Sequence, residues 1–217
     1  MRRKRQLKVE ENNRLGQICT TAAEIICAKG YDATSLNDIA DAVGLTKPGL
    51  YHYITGKESL LFTIMNYGMQ RLEEEVIEPA RQISDPEQRL RTILVKHARL
   101  ITERGKALTI LVDEVAALTP AHRRAITKRK RAYYEFLRDT LKELQAAGKL
   151  QDVDVTVAAF SLFGMLLTLS RWYRPEGRLT SEQVAEEVAK IAFHGILRPV
   201  SMGEIVAKAD PTASAES

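Results

Sequence analysis

The stretch that most limits what this chain can become runs from Thr34 to Leu60, T-S-L-N-D-I-A-D-A-V-G-L-T-K-P-G-L-Y-H-Y-I-T-G-K-E-S-L. It predicts two short helices joined by a tight turn. Ser35 is an N-cap residue, and Asp38 three positions later completes an S-x-x-D capping box. Leu36, Ile39, Ala40 and Val43 then share one helical face. Gly44 follows at once and takes positive φ without steric cost. Thr46 caps a second helix, with Pro48 in the first turn, where its missing N–H does no harm. Leu50 and Ile54 point inward at i, i+4, which leaves Lys47, Gly49, Tyr51, His52 and Tyr53 facing out. That outward face holds a cation, a glycine that permits close approach, two phenols and an imidazole, but no carboxylate. Solvent-facing surfaces mix both signs, whereas this composition suits a polyanion.

The flanking segments extend the module. Leu15, Ile18, Cys19, Ala22 and Ile26 form the stripe of a helix from Asn13 to Lys29, closed by Gly30, with Tyr31 as an apolar lid. Ahead of it, residues 1–11 cluster Arg2, Arg3, Lys4, Arg5 and Lys8. This arm is either a solvated tail or a contact to phosphates or the minor groove. Thr55-Gly-Lys-Glu58 reads as a second capping box opening a fourth helix that stops at Pro79, and Lys57 at its start is placed to clamp a phosphate.

The remaining chain reads as helices throughout. Asp85-Pro86 with Gln88 opens one that ends at Gly105; its stripe includes His97, read as a hydrogen-bonded histidine at the core edge, with no neighbour to make a metal pair. Residues 106–118 form a largely apolar helix, and Thr119-Pro120 opens another that reaches Gly148 and carries a basic run from His122 to Arg131. Residues 153–173 are apolar almost all round, and Thr180 with Gln183 starts a last helix to about Leu197. A helix without a polar face needs cover on both sides, so these last two suit a four-helix contact between two copies.

With 217 residues, the chain can bury a sizeable core, and a net charge of +4 puts the argument on where the charge lies rather than on its total. Cys19 and Cys27, two turns apart on one helix, are too far apart to bridge and read as buried thiols of a reducing compartment. No apolar signal region follows the basic start, and the most apolar run, Val155 to Leu169, is shorter than a bilayer span. A soluble, cytoplasmic protein with no membrane partner is expected. Phosphate-binding glycine loops, H-E-x-x-H and G-x-S-x-G are all missing, so no catalytic residues, metal or cofactor are expected.

From Ile39 to Leu61, I-A-D-A-V-G-L-T-K-P-G-L-Y-H-Y-I-T-G-K-E-S-L-L resembles the DNA-binding signature of TetR-family transcriptional regulators position by position. Ile54 departs from it, standing where that family usually has an aromatic, a change of packing and not of role. The resemblance implies an all-α fold of about nine helices. Residues 1–60 would be the helix–turn–helix DNA-binding domain with its basic arm, 61–200 a helical effector-binding and dimerisation domain, and 201–217 a disordered tail. It also implies a homodimeric repressor, paired through its last two long helices and released from double-stranded operator DNA by a small molecule. The DNA-binding residues would be Ser35, Thr46, Lys47, Pro48, Gly49, Tyr51, His52, Tyr53 and Lys57, with Lys47, Tyr51 and His52 at base edges and Thr46, Tyr53 and Lys57 on phosphates.

The segment S-R-W-Y-R-P-E-G-R-L-T, Ser170 to Thr180, is similar to a stretch of TetR-type repressors of fatty-acid and sterol-side-chain catabolism, which respond to acyl-coenzyme A thioesters. The basic run on the helix after Pro120 suits coenzyme phosphates. The effector candidates are therefore Arg123, Lys128, Arg171, Trp172 and Arg174. Trp172 has a competing role in dimer packing, and Arg171 and Arg174 in capping carbonyls at a helix end. The alternatives are a regulator of efflux or stress genes that answers a hydrophobic drug-like ligand, and a nonspecific DNA-binding scaffold.

Overall fold

The computed structural model describes residues 2–104 and 106–198; side chains are described outside residues 2–12, 104, 106–107 and 112–113. The elements are α1 (Arg2–Lys29), α2 (Leu36–Ala42), α3 (Lys47–Tyr51), α4 (Lys57–Leu72), a π turn (Glu73–Ile77), α5 (Glu78–Arg81), α6 (Pro86–Arg104), α7 (Lys106–Asp113), a short 3₁₀ turn (Val115–Ala117), α8 (Pro120–Ala146), α9 (Val155–Trp172) and α10 (Ser181–Ile196). With the continuous rod Lys57–Arg81 counted once, these are nine helices among the described residues. The fold is all-α; its only β-type pairing among the described residues is an isolated bridge, Leu150 to Leu197, that ties the end of α8 to the end of α10.

The sequence reading needs several corrections; the helix read over 106–118, for one, ends at Asp113 and gives way to a 3₁₀ turn over Val115–Ala117. The first helix begins at Arg2, so the backbone of the basic arm is helical, while its side chains and the tail 201–217 lie outside the described residues. The fourth helix does not stop at Pro79. Proline in an α-helix clashes with the carbonyl four residues back, and here the preceding turn is widened to a π turn, with the Glu78 N–H donating to the Glu73 carbonyl, so the rod runs on to Arg81. The Thr55–Glu58 capping box does not form either. Ser59 Oγ accepts from the N–H groups of Thr55 and Gly56, both at 3.0 Å, and Glu58 is engaged elsewhere.

Two packed groups share one continuous core. Ile18, Cys19, Ala22 and Ile26 of α1 bury against Ile39, Ala40, Leu50, Ile54, Leu60 and Leu61, which fixes α2 and α3 on α1 and the start of α4. Both α1 and α4 then pack on α7, and α4 also packs on α8. In the second group α6 is central, touching α10, α9, α8 and the π turn, and its inner face is Leu90, Ile93, Leu94, His97, Ala98 and Ile101. The pair of cysteines splits: Cys19 is buried, which pushes its thiol pKa up to about 12, whereas Cys27 is exposed.

On α9 only 28% of the helix is buried, although it is long and apolar enough by composition to cross a membrane. Its inner residues Ala158, Ala159, Leu162, Leu166 and Leu169 pack in the bundle, and Val157 and Phe160 are exposed, as is Ile191 on α10.

Candidate functional site

The helix–turn–helix is built from local bonds. Ser35 N–H donates to Asp38 Oδ2 at 2.9 Å, and Asp38 N–H donates to Ser35 Oγ at 3.1 Å, so the box at the start of α2 is reciprocal. Hydrogen bonds from the Ser35 backbone N–H and from its hydroxyl hold the Asp38 carboxyl below its ordinary pKa. Gly44, at φ +65°, makes the turn, and Leu45 N–H closes it on the Ala40 carbonyl at 2.9 Å. Thr46 Oγ1 accepts from Gly49 N–H at 3.2 Å to cap α3. A Cβ on Gly49 would stand 3.2 Å from that same Thr46 oxygen, so glycine keeps the cap uncrowded. Leu50 and Ile54 are buried beneath, and Lys47, Pro48, Tyr51 and His52 are exposed above, with Gly49 and Tyr53 half-buried. His52 and Tyr53 meet edge to face, their centroids 5.4 Å apart. The expected readers thus lie together on one outer surface.

Lys57 stands at the first position of α4, beside that surface. Its Nζ donates to the Asp32 carbonyl at 3.0 Å and sits 4.5 Å over the Tyr31 ring. Such a contact orients an ammonium without neutralising it. Sequence reasoning passed over Arg14, whose Nη2 donates to the Val43 carbonyl at 2.7 Å and fastens α1 to the end of α2.

The head is joined to the body at Glu58. Its carboxylate accepts from Thr119 N–H at 2.8 Å and lies 2.9 Å from His122 Nδ1, while the His122 ring stacks on Phe62 at 3.9 Å. Burial pushes the Glu58 carboxyl pKa up, but the Thr119 and His122 bonds outweigh it and hold the value below normal. The first turn of α4 is thereby tied to the first turn of α8.

Three adjoining cavities run through the body. One, a groove of about 440 Å³ open to the surface beside α8 and α9, has largely apolar walls: Met69 and Leu72 of α4, Leu108 and Leu111 of α7, and Phe160, Phe163 and Leu167 of α9. His97 and Tyr133 supply polar atoms inside it, and Thr127, Lys130 and Arg131 of α8 also line it. A second space of about 340 Å³ shares Leu108 and Leu167 with it. That space in turn shares Ile101, Ser170 and Arg171 with a cleft of about 570 Å³ between head and body, lined by Thr20 and Glu24 of α1, Tyr67 and Arg71 of α4, and Arg171 and Arg174. Volumes of this size are those of small-molecule sites.

The effector candidates fall apart accordingly. Arg171 and Arg174 line the cleft, with Arg174 Nη1 also donating to the carbonyls of Tyr173 and Arg171. Trp172 is 54% exposed and points outward. Arg123 caps the Ala116 and Leu118 carbonyls, and Lys128 is exposed on the outer face of α8. Most of the basic run ties helices together: Arg129 donates to Asn66 of α4 and Lys130 to the Leu111 carbonyl of α7. Burial lowers the Lys130 pKa. The chamber side of α8 is Thr127, Lys130, Arg131 and Tyr134, an i, i+3, i+4, i+7 stripe that helical phase alone would have picked out.

A helix–turn–helix whose second helix has no acid on its outer face, carried on a helical body with ligand-sized cavities, defines a DNA-binding regulator with a sensor domain. Residues 18–64 match the family described as bacterial regulatory proteins, tetR family, and residues 83–196 match the tetracyclin repressor-like C-terminal domain. The structure of AibR in complex with isovaleryl coenzyme A and operator DNA is 42% identical, with TM-score 0.76 over 83% of this chain and 98% of that one. The HTH-type transcriptional repressor KstR2 of Mycobacterium tuberculosis is 26% identical over 189 residues, 86% of this chain and 94% of KstR2. PfmR from Thermus thermophilus is 31% identical, with TM-score 0.74 over 82% of this chain and 97% of that one. The chain belongs to the TetR family and is a DNA-binding transcriptional regulator.

Proposed function

We propose that the protein is a homodimeric repressor released from its operator by an acyl-CoA thioester. The observation that carries this reading is the joined set of cavities: an apolar groove sized for an acyl group, leading past Leu108 and Leu167 toward a cleft where Arg71, Arg171 and Arg174 outnumber Glu24 and Glu103. Hydrocarbon favours the first and anionic oxygens the second. The likeness to AibR, solved with isovaleryl coenzyme A and operator DNA, supports the same ligand class.

In this reading residues 1–60 read DNA in the cytoplasm, with Lys47, Tyr51 and His52 at base edges and Thr46, Tyr53 and Lys57 on phosphates, as Ser35, Pro48 and Gly49 set the approach. Residues 61–200 hold the effector and the partner subunit. The exposed apolar side chains Val157 and Phe160 of α9 and Ile191 of α10 are the surface a second copy would cover. The effector acts by population shift: it favours a head spacing that cannot meet two successive major grooves. It is returned unchanged, because the protein performs no reaction on it.

A gel-shift titration on the chain's own upstream DNA, with random duplex as competitor and a panel of acyl-CoA thioesters, tests this. A sequence reader should prefer its site by ~10³ or more, and one thioester should abolish the shift. A selective shift indifferent to every thioester would defeat the acyl-CoA reading, leaving a drug-like effector as the replacement. No selective shift at all would defeat the repressor reading.

A further inference from the structure

The groove beside α8 and α9 has hydrocarbon and aromatic walls and one polar edge, so what it accepts beyond hydrocarbon is decided at that edge. Met69, Leu72, Leu111, Phe160 and Phe163 belong to the walls. His97 and Tyr133 offer a ligand little. The Tyr133 hydroxyl lies 3.0 Å from His97 Nδ1, both side chains are buried, and His97 Nε2, which has no partner, is sealed from the groove. The polar edge is the exposed side of α8, where Thr127, Lys130 and Arg131 follow at i, i+3, i+4.

The two cations on that edge are not equivalent. Arg131 Nε donates to Glu135 Oε1 at 2.9 Å, so its charge is answered within α8. Lys130 Nζ donates to the Leu111 carbonyl at 3.1 Å, which uses one of three N–H donors and leaves the charge whole. Among the described residues no carboxylate pairs with Lys130, and none lines the groove. Burial lowers its pKa with no neighbouring acid to raise it again. An ammonium held against apolar walls without a counter-charge is costly, and an arriving anion removes that cost.

Lys130 also stands at the end of the groove remote from the arginines of the cleft. Groove and neighbouring space share only Leu108 and Leu167. Leu111, which holds Lys130, is one helical turn beyond Leu108 on α7, and Phe163 and Phe160 are one and two turns back from Leu167 on α9. A ligand that runs the length of these spaces therefore meets cations at both ends and hydrocarbon between. Because the groove is open at α8, an anion there keeps part of its hydration while gaining the counter-charge. Building on the acyl-thioester reading, we propose that the effector's acyl group ends in a carboxylate, and that this carboxylate binds Lys130 Nζ. Lys130 is then the residue that selects a carboxylate end over a methyl end.

Calorimetry on the full chain with two matched series tests this. Glutaryl-, adipoyl- and suberoyl-CoA end in a carboxylate; valeryl-, hexanoyl- and octanoyl-CoA have the same carbon counts and end in a methyl group. In the wild type the best-fitting carboxylate member should bind ~10- to 100-fold tighter than its methyl counterpart. Lys130→Met, which keeps the stem and removes the charge, should bring that pair within about threefold. Lys130→Arg, which keeps the charge, should retain the preference, and Lys130→Gln serves where Lys130→Met does not fold. Methyl-ended members that bind the wild type as well as the carboxylate-ended ones at every length would overturn the proposal. The acyl-thioester reading would then stand, with Lys130 only a tie between α7 and α8. A carboxylate preference undiminished in Lys130→Met would overturn the assignment to Lys130. Failure of the wild type to bind either series would overturn the acyl-thioester reading along with the proposal.

Discussion

The DNA-reading surface and the chamber are built in opposite ways. Every backbone cap that shapes the first, Ser35 with Asp38 and Thr46 with Gly49, spans three residues, and the side chains proposed to read DNA lie in solvent above Leu50 and Ile54. The chamber draws on α4, α6, α7, α8 and α9, with almost one hundred residues between Met69 and Leu167, and two of its polar side chains, His97 and Tyr133, are buried. The difference separates specificity from stability. Outer side chains of the head can change without disturbing the core, whereas a change at buried His97 or Tyr133 alters packing and proton affinity together.

The sharpest way to break this comparison is the double variant Lys47→Ala with Tyr51→Ala. We expect operator affinity to fall roughly 100-fold or more, since each base-edge contact is worth ~1–3 kcal/mol, with no change in effector affinity by calorimetry. An equal loss of effector affinity would mean that the two surfaces are not separable.

Next in size is an acid effect confined to the chamber. His97 has a pKa of about 3 when folded, against an ordinary 6.5. Between those values the unfolded chain binds a proton that the folded chain does not. The contribution of neutral His97 is therefore complete above about pH 6.5 and is lost as the pH falls toward 3. Urea unfolding at fixed protein concentration should show the wild type weakening faster with acid than His97→Leu. The difference should approach about 1.4 kcal/mol per pH unit. Parallel pH profiles would contradict the burial argument.

Glu58→Gln probes a polar tie between the regions, at the first turns of α4 and α8. Loss of the charge-assisted bonds to Thr119 and His122 should cost about 1–2 kcal/mol of stability. It should also lessen the factor by which an effector weakens operator binding; an undiminished factor in gel shifts would show that this tie carries no coupling. The smallest effect is expected from Lys57→Ala, a few-fold loss on all duplexes alike, with the slope of log K against log salt reduced by about one unit. A change of sequence preference would instead place Lys57 among the readers.

How much of this was legible in the sequence follows the same division. The caps, the turn at Gly44 and the buried pair Leu50 and Ile54 could be read because every partner lies within a few residues. Glu58 was misread as a capping residue because its true partners are more than sixty residues away, and a serine one position on was free to take the cap. Arg123 and Lys128 stood out in the basic run by charge, yet the phase set by buried Ile126, Tyr133 and Leu137 turns Thr127, Lys130 and Arg131 to the chamber instead. His97 was recognisable as an inward histidine. That one of its nitrogens would have no partner depends on what five helices leave open, which no local pattern encodes.

Phe160 stacks on Tyr134 at 4.9 Å in the chamber wall and is nonetheless 62% exposed on the outer side of α9. In the proposed reading one ring therefore belongs both to the effector's surroundings and to the face that would meet a second copy. Occupancy and association then become linked equilibria: a ligand that displaces this ring changes the dissociation constant of the pair, and association changes the affinity for the ligand by the same factor. In dilute solution the half-saturating ligand concentration would drift with protein concentration, so a dose–response curve measured at one protein level would not transfer to another.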